Sequence, residues 1–259
     1  MEETGKITLE WCYTPADFFE VKITDLPLDY DHMIENGEIS VSMDLDEYQR
    51  NPNIQDQFHE MLISYFKGAN LIIRKPFTLT RAGGMIIYSD GRKGHILQAE
   101  PLIMMTSFGS VDCYVIDSNG KIKIDTKRAR LNRTRRFGEL SVKYRISDPV
   151  VESLLSSFEK SLNNPNTALV HLYEILDSLK KRFGGQNAAQ KAIGISDTTW
   201  NNLKTLSNGK PLNQGRHSGQ HIGALRDATE SELNEARDLA EEMVVAYLEY
   251  LERKASNTQ

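Results

Sequence analysis

The hydrophobic period changes near residue 146, and that change limits the chain to two differently built parts. Before it, short runs rich in β-branched and aromatic residues alternate with turn residues, the pattern of strands. Strands are expected at 7–13, 18–23, 38–45, 71–79, 85–89, 95–105, 110–116, 121–126 and 139–145. Asp117-Ser118-Asn119-Gly120 has the composition of a hairpin turn, with glycine supplying a positive φ. One helix interrupts the strands over roughly 54–67, where Phe58, Met61, Leu62, Tyr65 and Phe66 recur at helical spacing as a core face.

Beyond 146 every apolar run has the helical period. Asp148-Pro149 starts a helix, with aspartate as cap and proline in its first turn, and Asn163-Asn164-Pro165 ends it. Leu169, Leu172, Leu176, Leu179 and Phe183 line one face of the next helix, which Gly184-Gly185 closes. Short helices follow over about 186–193 and 197–207. Thr229 and Glu232 have the spacing of a capping box that opens a last long helix reaching about Lys254. The expected fold class is α+β: a β-rich domain over 1–145 and an all-helical bundle over 146–259.

Length and composition agree with this division. The 259 residues fit two domains, and 39% hydrophobic residues are enough for real cores. The acidic start is not followed by an apolar run, and no stretch approaches the roughly 18 apolar residues that span a bilayer. Cys12 and Cys113, far apart in strand-like surroundings, could form one bridge, but buried free thiols of a reducing compartment are the expectation. A soluble cytoplasmic protein with no membrane partner is expected.

Charge is unevenly placed. The chain carries −5, yet Lys121 to Arg145 hold ten Lys/Arg against Asp125 and Glu139, a local +8 that leaves −13 elsewhere. Lys127, Arg128, Arg130, Arg133, Arg135 and Arg136 are therefore candidate nucleic-acid contacts. The competing expectation is a solvated hairpin face that pairs with the acidic last helix, where Ala228 to Glu252 hold eight acids against Arg237 alone.

The segment Gly215-Arg216-His217-Ser218-Gly219-Gln220-His221-Ile222-Gly223 carries the most chemistry. Its glycines favour a loop on which polar side chains converge. Arg216 supplies a permanent planar cation suited to phosphate, and His217 and His221 titrate near neutrality. Metal-free RNA cleavage requires such a set: a base, an acid and a cation on the phosphate.

Arg216-x4-His221 resembles the R-x(4–6)-H signature of the higher eukaryote and prokaryote nucleotide-binding (HEPN) family, with His217 in its polar slot. Leu172-Tyr173-Glu174-Ile175-Leu176 also resembles an early bundle helix of HEPN-like proteins. The resemblance covers about 146–255. It implies a dimeric helical bundle and a metal-independent endoribonuclease, often in a defence or toxin context, with no cofactor. Arg216 would stabilise the phosphate, His221 would be acid or base, and Glu174 a supporting polar residue.

Other readings of the same half remain open. His217-x3-His221 matches two metal ligands on one helical face. Residues 185–200 resemble a helix-turn-helix with Gly194-Ile195-Ser196 as the turn, although Gln190 stands where a small residue is usual and Lys204 is the reading helix's only cation. A non-catalytic interaction protein would use the same helices only for packing. No P-loop, G-x-G-x-x-G or H-E-x-x-H string occurs.

Overall fold

A computed structural model describes residues 4–96, 114–116, 122–216 and 225–257. Two compact units are present, one of residues 1–63 with 75–125, the other of 64–74 with 126–259. The mixed α+β class holds. The helical unit, however, begins at Thr126 rather than near 146, and it takes a segment from the first half of the chain.

In chain order the first unit contains β1 (Gly5–Thr14), β2 (Asp31–Glu35), β3 (Glu38–Asp44) and α1 (Leu45–Arg50). Next comes the start of α2 (Ile54–Ile73), then β4 (Thr78–Tyr88), β5 (Lys93–Ile96), β6 (Tyr114–Ile116) and β7 (Ile122–Asp125). An antiparallel sheet in the order β2-β3-β1-β4-β5 forms its body, and β6 pairs with β7 separately. Ile7, Leu9, Trp11 and Tyr13 alternate along β1 onto the buried face, where Trp11 meets Phe58 of α2 edge to face at 6.4 Å.

Several expected strands are corrected. Residues 71–73 continue α2, which stops where Arg74 turns to φ 56°. Over 18–23, a turn from Phe18 N–H to the Pro15 carbonyl (3.0 Å) replaces a strand, and Ile23 makes a single bridge to Ile34. β2 was not anticipated, though Asn36-Gly37 (φ 51° and 88°) is the two-residue turn that joins it to β3. The turn at 117–120 and most of the strands expected at 95–105 and 110–116 lie outside the described residues, as does Cys113.

The largest correction concerns the basic stretch. Residues 126–144 form a helix, α3 (Thr126–Tyr144), so the strand expected over 139–145 does not exist. Its buried face is Thr134, Phe137, Gly138, Leu140 and Ser141, a helical stripe hidden by small and polar residues. The second half of α2 lies against this stripe at very short range. A Cβ on Gly68 would stand 2.2 Å from the Phe137 carbonyl oxygen, and one on Gly138 would stand 2.6 Å from the Tyr65 ring.

The rest of the helical unit follows the expectation closely. It contains α4 (Pro149–Asn163), α5 (Ala168–Phe183), α6 (Gln186–Ile193), α7 (Asp197–Lys204) and α8 (Glu230–Ser256). Asp148 caps α4 by accepting from Val150 N–H, and Thr229 and Glu232 form the full capping box of α8. Leu172, Ile175, Leu176 and Leu179 of α5 are completely buried, as are Ala240, Met243, Val244 and Tyr247 of α8. Among the described residues no helix is long and apolar enough to cross a membrane.

Within this unit Glu152 accepts from Lys67 (2.9 Å), Arg145 (2.6 Å) and Ser156 (2.6 Å), and Arg145 also donates to Ser64. Burial alone would push the Glu152 carboxyl up. The three hydrogen bonds and the Lys67 charge prevail and hold it at about 2.

Candidate nucleic-acid interface

The basic residues of α3 are largely committed within their own unit. Arg133 pairs with Glu241 of α8, Arg136 with Glu249 at 3.1 Å, and Lys143 with Glu252 at 2.6 Å. Arg135 pairs with Glu139 one turn along α3. The pairs of Arg135, Arg136 and Lys143 are exposed and worth at most about 1 kcal/mol each, so they bias these cations without locking them, whereas Glu241 is buried. The pairing with the acidic last helix is therefore observed, though from a helix and not from a hairpin.

Arg216 is held against α5. Its guanidinium donates to Asp177 at 2.6 Å and lies over the Tyr173 ring at 4.7 Å, while its backbone N–H donates to the Ser207 carbonyl. Lys180 covers the same ring at 5.0 Å. Glu174 stands elsewhere on α5. It accepts from Ser157 at 3.1 Å and lies 3.3 Å from the His171 ring, with no bond to Arg216. Asp177, one turn further along α5, is the carboxylate that Arg216 meets. His217 and His221 lie outside the described residues. Among the described residues no group of three or more His, Cys, Asp or Glu could hold a metal ion.

The best-formed candidate is α6, the turn at 194–196 and α7. Helix α6 ends because Gly194 adopts φ 78° and sends its N–H back to the Gln190 carbonyl at 2.8 Å. Two residues later Ser196 opens α7, accepting from Thr199 N–H at 3.0 Å. Ala189, Ile193, Ile195, Trp200 and Leu203 all point into the core, and Trp200 and Leu203 are completely buried. These five fix how the two short helices cross. They leave Thr198, Asn201, Asn202 and Lys204 exposed on the outer face of α7.

Along the chain, Ser178 to Arg216 carry seven Lys/Arg and one acid, Asp197. Lys180, Lys210 and Arg216 pair with acids, and Glu242 of α8 accepts from Thr199 of α7 at 3.3 Å. Lys181, Lys191 and Lys204 are all exposed. The imbalance extends to the whole unit: 64–74 with 126–259 hold 22 Lys/Arg and 16 Asp/Glu, net +6. The remaining residues hold 9 against 20, net −11. Comparisons with known protein families, with curated proteins and with solved structures give no match.

Proposed function

We propose that the helical unit binds duplex DNA, with α7 as the helix that enters the major groove. One observation carries this: two short helices joined by a three-residue turn bury five apolar residues and leave a polar outer face on the second. That face carries two side-chain amides, Asn201 and Asn202, and asparagine pairs in bidentate fashion with the N6 and N7 edge of adenine. Lys181, Lys191 and Lys204 supply the phosphate contacts that position a reading helix, and the unit's net charge supports encounter.

The test is enrichment from a random duplex pool, followed by fluorescence anisotropy on the winning sequence. Asn201→Ala with Asn202→Ala is expected to weaken binding to that sequence about 30-fold, and to a scrambled duplex hardly at all. Both positions are exposed, so folding is unaffected. A protein that enriches no duplex, or a double variant with undiminished sequence preference, would refute the proposal.

Metal-independent RNA cleavage by a HEPN-like homodimer is the second reading. It is favoured by Arg216, whose side chain stays 44% exposed while Asp177 and Tyr173 hold it in place, as a phosphate-stabilising cation requires. On this reading, a mixed RNA pool in EDTA is cleaved by the wild type and not by Arg216→Ala or His221→Ala. An intact pool after incubation with the wild type removes it.

A further inference from the structure

Gln190 and Asp197 form a contact that packing alone does not require. Gln190 occupies the position, four before the turn glycine, where helix-turn-helix pairs usually carry a small residue. Here it is buried, with 8% of its surface exposed. Its carbonyl accepts from both Gly194 and Ile195 N–H and closes α6. Its side chain reaches across the turn, and Nε2 donates to Asp197 Oδ1 at 2.9 Å. A buried amide needs such a partner, but an alanine at this position would need none.

Asp197 is the first residue of α7 and is exposed. It is also the one acid among the seven cations of 178–216. On a surface that meets phosphates a carboxylate opposes binding, unless it meets a donor on a base. In the major groove that donor is the N4 amino group of cytosine, and aspartate is one of the side chains that accept from it. Residues at the start of a reading helix are the ones that reach base edges. With Oδ1 engaged by Gln190, Asp197 keeps Oδ2 as an acceptor, and the tether fixes the carboxylate's rotation.

We infer that Asp197 reads a cytosine at the edge of the recognised sequence and that Gln190 is the positioning residue that aims it. The inference rests on the DNA-binding reading above. It adds a C·G requirement next to the adenines assigned to Asn201 and Asn202.

The experiment uses the full chain and the duplex enriched from the random pool. Affinity is measured for that duplex and for every single-pair replacement of it. The wild type is expected to prefer cytosine at one position by about tenfold. Asp197→Ala removes that preference and leaves the other positions unchanged. Gln190→Leu keeps the buried volume but releases the carboxylate, reducing the same preference to about threefold. A packing role for Gln190 would instead weaken binding evenly across positions.

Should an enriched duplex keep its preference at every position in Asp197→Ala, the inference is overturned while DNA binding stands. Wild-type discrimination in Gln190→Leu, with Asp197→Ala relaxed, overturns the positioning role alone. Failure to enrich any duplex removes the DNA-binding reading and this inference together. If Gln190→Leu does not fold, as circular dichroism would reveal, the exposed Asp197 still decides the cytosine assignment.

Discussion

Glu152→Ala is expected to cost the helical unit about 2–3 kcal/mol of stability, read as a lower urea midpoint at pH 7. Lys67 and Arg145, with side chains 13% and 9% exposed, converge on this carboxylate. Removing one partner of a buried pair costs about 3–5 kcal/mol, and the figure is reduced here because Glu152 itself remains accessible to water. The same contacts set an acid limit. A carboxyl held at about 2 in the folded chain, against 4.5 ordinarily, favours the fold at every pH above 4.5. That contribution shrinks as pH falls from 4.5 and is gone below about 2. In Glu152→Gln the acid-side slope is therefore shallower than in the wild type. Equal midpoints at pH 7 and equal slopes between pH 5 and 2 would show that the cluster contributes nothing.

Gly68→Ala is the second change with a large expected effect. The added methyl would lie 2.2 Å from a backbone oxygen and 2.3 Å from Ser141 Oγ, and the backbone oxygen cannot rotate away. Overpacking of this kind costs about 3 kcal/mol, since α2 and α3 must separate or shift register. Gly209→Ala is the control, because its Cβ meets nothing nearer than 3.7 Å and its gain in unfolded-state rigidity offsets any loss. Thermal melts of both variants decide the matter. A Gly68→Ala midpoint within a degree of the control would mean that the helices are not packed at this distance.

The elements legible in the sequence were those whose ends are chemically marked. Asp148-Pro149, Gly184 and the Thr229/Glu232 box delimit helices because each satisfies backbone groups that a helix end leaves open. α3 was missed for the complementary reason. Its buried stripe of Thr134, Gly138 and Ser141 is chosen for close approach, so its hydrophobic period is faint, and Val142 and Tyr144 suggest a strand. β2 is short and only Ile34 is fully buried, so its turn was the readable signal and its own residues were not.

The candidate site divides in the same way. Gly194, Ile195 and Ser196 announce a turn between helices, and the apolar residues around them announce burial. The Gln190–Asp197 bond could not be read, because it depends on a side chain crossing a turn whose path the sequence leaves open. Arg216 stood out as a cation, but its partners Tyr173 and Asp177 lie some 40 residues away on α5 and follow only from tertiary packing.

Helix α2 is counted in both units, with residues up to Ile63 in one and Ser64 onward in the other, and the chain passes between the units again at 74–75 and at 125–126. Each unit is thus discontinuous in sequence, so neither can be isolated by a single cut. A fragment beginning at Thr126 lacks Ser64, Lys67 and Gly68, and with them the partners of Arg145, Glu152 and Ser141. On the ribosome the order is equally constrained. The segment 64–74 emerges long before the residues it packs against, and must wait without its packing partners while the intervening 75–125 are made.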